Sequence, residues 1–330
     1  MKRLIGIFAL FTIVLSGCDD GDLVFEDIDF SEVNAQRCAN KIYKLNGAEA
    51  LILKIGSDEN SATFTDAFPL EPTETGTVQN IAIDNSVNKV VYRLYDGDVT
   101  NPSICGAIPA AFPLIVEEWE ATSGDIEIIT TARIEPNTAT GFEGGQKITG
   151  YQNNIVFRNI TFEKTDGSTQ VYDIFPFGVF EVTAPVLNFN FGALEVQKCP
   201  STSRVFKIIG LEAIDLKLDP ALLDTSSLGE IKTGVLDDDN VLTYYQFAPA
   251  TVIDATFFCN GAPPVTPTQI WTGVPGVPGM SGVIEVVSQE LPGGNGFSHT
   301  IRLKKVTFKK GRNEFLLADD YLLGELNITD

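Results

Sequence analysis

Histidine occurs once in this 330-residue chain, at His299, methionine and tryptophan twice each, and lysine plus arginine number 23 against 44 acidic residues. Each scarcity narrows the function. Nucleophilic catalysis by Ser or Cys wants a base within hydrogen-bond reach, and zinc wants three or four nitrogen or sulfur ligands. One imidazole leaves little for either, so no catalytic residue, metal ligand or cofactor is assigned. The formal net charge of −21 argues against nucleic acid as a partner, because binding a phosphate backbone needs a basic footprint. No apolar run reaches the roughly 18 residues of a membrane-spanning helix. Nor does any segment sustain a helical period, the closest being the short stretch 220–228.

What is present starts at the N-terminus. Met1-Lys2-Arg3 is a positive n-region, residues 4–15 are apolar apart from Gly6 and Thr12, and Leu15-Ser16-Gly17-Cys18 follows. The order of these parts is that of a signal peptide. The last four residues resemble the lipobox of bacterial lipoproteins. That resemblance implies cleavage after residue 17, a thioether-linked diacylglycerol on Cys18 and an acylated amine, which together anchor the chain firmly, since two lipid signals suffice where one does not. The acidic stretch Asp19-Asp20-Gly21-Asp22, with Glu26-Asp27 behind it, makes residues 18–27 a tether. An acidic run in this place resembles the export signal of surface lipoproteins of the Bacteroidota and implies an outer-membrane, surface-exposed location, with the periplasmic face as the alternative. The membrane is then a partner through lipid alone.

The remainder reads as a duplication. Gln36-Arg37-Cys38 returns as Gln197-Lys198-Cys199, and Tyr43-Lys44 with Glu49-Ala50-Leu51 returns as Phe206-Lys207 with Glu212-Ala213-Ile214. Tyr92, Cys105, Pro109 and Trp119 are answered by Tyr244, Cys259, Pro263 and Trp271, and Gly178 by Gly324. The matches stay collinear, as in a tandem repeat of one domain. Residues 28–185 form copy one and 186–330 copy two, with Pro185 at the join. Within each copy, alternating apolar positions, branched and aromatic runs, and Gly, Asn, Asp and Pro punctuation specify strands. The expected fold is all-β: two tandem homologous β-sandwich-like domains. In residues 155–162 the bulky positions are 155, 157, 160 and 162, and in the second copy 301, 303, 306 and 308. The alternation slips once in each, which predicts a β-bulge at Arg158-Asn159 and at Lys304-Lys305.

With Cys18 acylated, four cysteines remain and allow three connectivities. Their matching places favour Cys38 with Cys105 and Cys199 with Cys259, and export makes bridges reasonable.

Several groups invite a functional role. Trp119 and Trp271 are equivalent, and each follows a Pro-rich stretch. They are candidates for a ligand surface, although a repeated Trp is more often core. After Trp271 copy two inserts a Gly- and Pro-rich loop carrying Val274, Pro275, Val277 and Pro278, and inserted loops on rigid sheets carry function. His299 is expected at the surface or an edge, Glu117-Glu118 in a solvated turn, and the acidic groups Asp96-Gly97-Asp98 and Asp237-Asp238-Asp239-Asn240 in ordinary Asx-rich turns rather than around calcium. Arg302, Lys304, Lys305, Lys309, Lys310 and Arg312 crowd one stretch of an acidic chain. They read as a solvent-facing strand pair that resists edge pairing, or else as a patch that meets copy one. The function expected is non-enzymatic: binding of an extracellular ligand or partner protein. The alternatives are a glycan-binding accessory of polysaccharide uptake and a structural subunit of an envelope assembly.

Overall fold

The computed structural model describes residues 28–57, 66–108, 110–192, 194–260 and 265–329. The signal sequence, Cys18, the acidic tether, Pro109 and Pro263 lie outside the described residues. The first half contains β1 (Gln36–Cys38), β2 (Lys41–Asn46), β3 (Glu49–Lys54), β4 (Gln79–Ala82), β5 (Lys89–Tyr95), β6 (Ile115–Pro136), β7 (Gln146–Glu163) and β8 (Thr169–Thr183). All pair antiparallel in one sheet of order β1-β2-β3-β5-β6-β7-β8, with β4 alongside β6. The last three strands are 22, 18 and 15 residues long, well beyond the usual five or six. They serve two layers. The near end of β6 pairs with β5 through Trp119 and Tyr92, and its middle pairs with β4 through Ile126 and Ile81. Leu51, Leu53 and Tyr92 from the first layer share one core with Ile126, Ile128, Phe157 and Phe177.

The second half contains β9 (Gln197–Lys198), β10 (Arg204–Ile209), β11 (Glu212–Lys217), β12 (Ile231–Val235), β13 (Val241–Gln246), β14 (Gln269–Gly273), β15 (Val283–Glu290), β16 (Gly296–Lys304), β17 (Thr307–Lys310), β18 (Asn313–Leu316) and β19 (Asp320–Thr329). Here the layers are separate sheets, one of order β18-β17-β14-β13-β11-β10-β9 and one of order β12-β15-β16-β19. Where the first half runs one strand through both layers, the second half uses two in succession: β14 then β15, β16 then β17, β18 then β19.

The slipped alternation marks where the chain changes layer. In the first half Ser123 pairs with Thr161 and Asp125 with Arg158, so β7 carries one extra residue at that place, and Asn159 adopts φ 49°. In the second half β16 stops at Lys304, Lys305 adopts φ 48°, and pairing resumes at Thr307 in the other sheet. The extra residue restores one buried face on both sides of the bend: Ile155, Phe157, Ile160 and Phe162 are buried, as are Ile301, Leu303, Val306 and Phe308.

The central strands are buried on both faces, which explains their nearly unbroken apolar sequence. Leu51 and Leu53 face the main core, while Ala50 and Ile52 meet a smaller cluster with Tyr95, Val99 and Ile104. In the second half the counterpart holds Phe206, Ala213, Phe247, Phe257 and Phe258. Each small cluster lies beneath a loop pinned by a disulfide, Cys38–Cys105 and Cys199–Cys259, spanning 67 and 60 residues. In the chain-entropy account each bridge stabilises by roughly 4 kcal/mol. The helices Asn101–Cys105 and Thr256–Cys259, and the 3-10 turn Pro220–Leu223, are a turn or so long, too short to leave a helical period.

The halves interlock rather than merely follow one another. Phe142, at the β6–β7 turn, is buried in the core of the second half with Phe315, Leu317 and Tyr321. Asp319 N donates to Glu143 O at 2.8 Å. Asn313 is 1 % exposed, and its Nδ2 donates to Leu70 O and to Tyr151 Oη, both at 3.0 Å. Arg312 donates to Pro72 O at 3.1 Å and pairs with Glu74 at 3.0 Å. Part of the basic cluster therefore meets copy one. Lys304 does not: it pairs with Asp320 and Glu285 of its own sheet.

Candidate functional site

Trp119 and Trp271 are 0 % and 3 % exposed, which takes their rings off any ligand surface. Each occupies the same register, opposite a tyrosine on the neighbouring strand: Trp119 against Tyr92, Trp271 against Tyr244. A buried indole needs a partner for its N–H, and both use a side chain two residues earlier on the strand. Trp119 Nε1 donates to Glu117 Oε1 at 2.6 Å, and Trp271 Nε1 to Gln269 Oε1 at 3.2 Å. Glu117 and Glu118 thus belong to strand β6 rather than to a turn, and Glu118 pairs with Arg93 at 2.6 Å.

Around these rings the halves differ. In the first, Tyr92 Oη donates to Glu49 Oε1 at 2.7 Å. In the second, Glu212 stands in the place of Glu49 and Tyr244 in that of Tyr92. Asn188 Nδ2 donates to Glu212 Oε1 at 2.7 Å, while the buried Glu212 Oε2 and Tyr244 Oη lie beside each other without a well-aligned hydrogen bond. Burial, reinforced by the neighbouring Glu212 carboxyl, holds the Tyr244 phenol far above its ordinary pKa. Imperfectly paired buried atoms cost free energy, and a donor on a ligand at Glu212, which lines a cleft, would recover part of it.

Glu212 lines a cleft of about 700 Å³, within the range of ligand sites, together with Asn188, Gln246, Gln269, Phe247 and Pro249. Gln269 Nε2 donates to Gln246 Oε1 at 2.8 Å, and Gln246 Nε2 to Val186 O at 3.4 Å. The buried indole and the Val186 carbonyl are thus linked through two carboxamides that line the cleft. Carboxamides donate and accept at once, and no Lys or Arg lines this cleft. Its chemistry suits a neutral ligand rich in hydroxyl or amide groups. The equivalence of Glu49 with Glu212 and of Tyr92 with Tyr244 was visible in the sequence; that one pair is joined and the other is not depends on coordinates.

The inserted loop is stitched to its own sheet: Val274 N donates to Thr307 O at 2.8 Å and Gly276 N to Leu236 O at 2.7 Å. Val274 is half-buried, whereas Pro275, Val277 and Pro278 are exposed, and none of the four lines the cleft.

His299 is 1 % exposed, not a surface or edge residue. Its Nδ1 lies 2.8 Å from Ser288 Oγ, across the β15–β16 pairing, and burial with the nearby Lys232 charge lowers its pKa. A Ser–His contact invites a catalytic interpretation, but Ser288 is equally buried. The same cross-strand place in the first half holds Thr130 and Asn153, with Thr130 Oγ1 donating to Asn153 Oδ1 at 2.7 Å. Both are polar pairs closed inside a layer. Asp237 caps its own turn, accepting from Asp239 N and Asn240 N at 3.0 and 2.9 Å. Among the described residues no group of three or more His, Cys, Asp or Glu is placed to hold a metal ion.

Fold and cleft together define an all-β protein of two interlocked, layered halves with a cleft in the second lined by carboxamides and apolar side chains. No family model matches the chain, and neither a curated protein nor a solved structure is significantly similar to it.

Proposed function

We propose that this chain is a lipid-anchored lipoprotein of the outer membrane whose tandem, non-catalytic β domains bind an extracellular ligand, with the cleft of the second copy as the binding site. The observation that supports it is the cleft at Glu212, whose Oε2 lacks a well-aligned hydrogen bond, with the carboxamides of Asn188, Gln246 and Gln269 on its lining. The corresponding Tyr92 and Glu49 satisfy each other, so the two copies divide the work: the first is scaffold and the second receives. The amide-rich, cation-free wall favours a glycan over a protein partner, because hydroxyl groups donate and accept as carboxamides do. Anchoring rests on the lipobox at Cys18.

The test is thermal denaturation of the chain with a panel of neutral oligosaccharides. At least one should raise the midpoint, and Gln269→Ala should abolish the shift while Glu117→Gln, its counterpart in the first copy, leaves it. Absence of a shift across the panel, or a shift that survives Gln269→Ala, would sink the proposal.

A further inference from the structure

From residue 99 to residue 116 the chain carries no Asp, Glu, Lys or Arg, in a protein whose residues are 20 % charged. The end of that stretch is strongly exposed: Ile108 is 84 % accessible, Phe112 75 %, Leu114 53 % and Val116 63 %. Large apolar side chains gathered on one exposed segment mark an interaction surface.

The segment lies at the end of the first copy where the anchored N-terminus enters. Asn46 Nδ2 donates to Asp29 O at 3.2 Å, which fixes the incoming chain beside the β2–β3 turn. Val99 N donates to Gly47 O of that turn at 2.8 Å, and Asp96 N to Leu114 O at 3.0 Å. Leu114 N returns a bond to Asp96 Oδ1 at 2.7 Å. One short run of contacts thus joins the entry point to the apolar segment. Lys41 Nζ bonds Ile104 O, and Cys105 is bridged to Cys38, so the base of the segment is held from two sides.

We infer that Ile108 and residues 112–116 dock into the lipid surface beside the anchor, so that the first copy rests on the bilayer. The inference relies on the proposed acylation of Cys18. Ten residues, 18–27, separate that lipid from the described chain, and fully extended they reach at most about 36 Å. The bilayer is therefore the one apolar surface always within reach of this end. The occupant is a neutral or zwitterionic lipid surface: Asp29, Asp96 and Asp98 border the segment, and no cation within it would attract anionic headgroups. Partly inserted apolar and aromatic side chains bind lipid in proportion to the apolar area they bury.

The test uses the full acylated chain reconstituted in vesicles of phosphatidylcholine and phosphatidylethanolamine with brominated acyl chains, which quench indole on contact. Trp119 and Trp271 are buried and give a constant background. Phe112→Trp, and independently Ile108→Trp, should lose at least half of the added emission, while Met280→Trp, on the exposed inserted loop of the second copy, should lose none. An unquenched Phe112→Trp in chains that float with the vesicles would overturn the inference and leave the anchor intact. Equal quenching at Phe112→Trp and Met280→Trp would also overturn it, as would an emission shift at Phe112→Trp that follows protein concentration rather than lipid, which would assign the segment to a second copy. Chains that fail to float, with an unmodified Cys18 by mass spectrometry, would remove the anchor and the inference together.

Discussion

Lys207 reaches the β-bulge at Gly324 so closely that a Cβ built there would lie 2.7 Å from its Nζ and 2.9 Å from Val196 Cγ2. The ammonium, 1 % exposed as a residue, donates to Leu323 O at 2.7 Å, and burial lowers its pKa. In the first half Lys44 Nζ sits 2.8 Å from the corresponding point at Gly178 and donates to Phe30 O. Both glycines fall at a register shift, between Ile301 and Arg302 on one pairing and between Ile155 and Val156 on the other. A buried lysine beside a bulge glycine is thus repeated, with Lys207 bonding backbone at the broken ladder and Lys44 bonding the incoming chain. Gly324 has φ 141°, and Gly324→Ala should cost about 2–4 kcal/mol in urea denaturation, from backbone strain and contact together. Gly178→Ala should cost less, because only the flexible end of Lys44 lies close.

Asp215 offers a pH test. It is 3 % exposed, Arg204 Nε approaches its Oδ2 at 3.2 Å, and the Tyr245 hydroxyl lies close by. Burial pushes its pKa from 3.8 to about 6, with Arg204 and Tyr245 opposing only in part. The folded state then holds a proton that the unfolded chain releases between pH 3.8 and about 6. Stability from this group is full below pH 3.8 and is lost as pH rises through about 6, a loss of order 3 kcal/mol. Asp215→Asn should therefore stabilise the chain at pH 7 and flatten that part of the pH–stability curve. A variant less stable than wild type at pH 7 would show that the Arg204 pair outweighs the desolvation.

Much of this architecture was legible beforehand, and the rest was hidden for identifiable reasons. The slip at residues 158–159 and 304–305 located the bend because a strand's period of two leaves a visible scar when one residue is added. The matched cysteines indicated both bridges because duplication preserves pairs. Trp119 and Trp271 misled because a repeat retains core positions as faithfully as surface ones. His299 was misplaced because its partner Ser288 lies on the neighbouring strand, and only the register brings them together. The interlocking of the halves through Phe142 and Asn313 left no mark in either copy alone. Cys105 to Pro113 was visible as a Pro-rich stretch, but the exposure of Ile108 and Phe112 within it and its closeness to the chain's entry were not.

The domain junction rests more on Asn313 than on Arg312. The Arg312–Glu74 pair is half-exposed on both sides, and such pairs contribute about 0.2–1 kcal/mol. Asn313 is buried and joins Leu70 O to Tyr151 Oη, and its loss leaves the buried Tyr151 hydroxyl without that donor at about 1–3 kcal/mol. Asn313→Ala should therefore broaden the distance distribution in solution scattering and lower stability, while Arg312→Ala changes little. Reversal of Lys304 and Lys305 to Glu should leave domain orientation unaltered, since Lys304 bonds within its own sheet.

His299 supplies a second titration, of opposite slope. Its pKa is lowered by burial and by Lys232, so on acidification the unfolded chain takes up a proton before the folded one does. The stability it contributes is full above about pH 6.5, the ordinary histidine value, and declines as pH falls below it. His299→Asn, which installs the residue found at Asn153, should remove this acid-side loss. If the stability curves of variant and wild type ran parallel between pH 7 and 5, the buried imidazole would have no part in it.

The cleft makes its own prediction through two tyrosines that the duplication equates. Tyr92 Oη donates to Glu49 at 2.7 Å, and a hydrogen bond to a carboxylate contributes about 1.5–3 kcal/mol. Tyr244 Oη lies beside Glu212 without a well-aligned bond, so its removal forfeits less. Tyr92→Phe should destabilise by that amount, whereas Tyr244→Phe should fall within about 0.5 kcal/mol of wild type or slightly above it. The order should hold once the cleft is filled, since Tyr244 does not line it, whereas a ligand that partners Glu212 would make Glu212→Gln costly in the bound state. Equal losses from the two substitutions in the free chain would mean that the Tyr244 hydroxyl is already satisfied, and the second copy would then have no more reason to receive a ligand than the first.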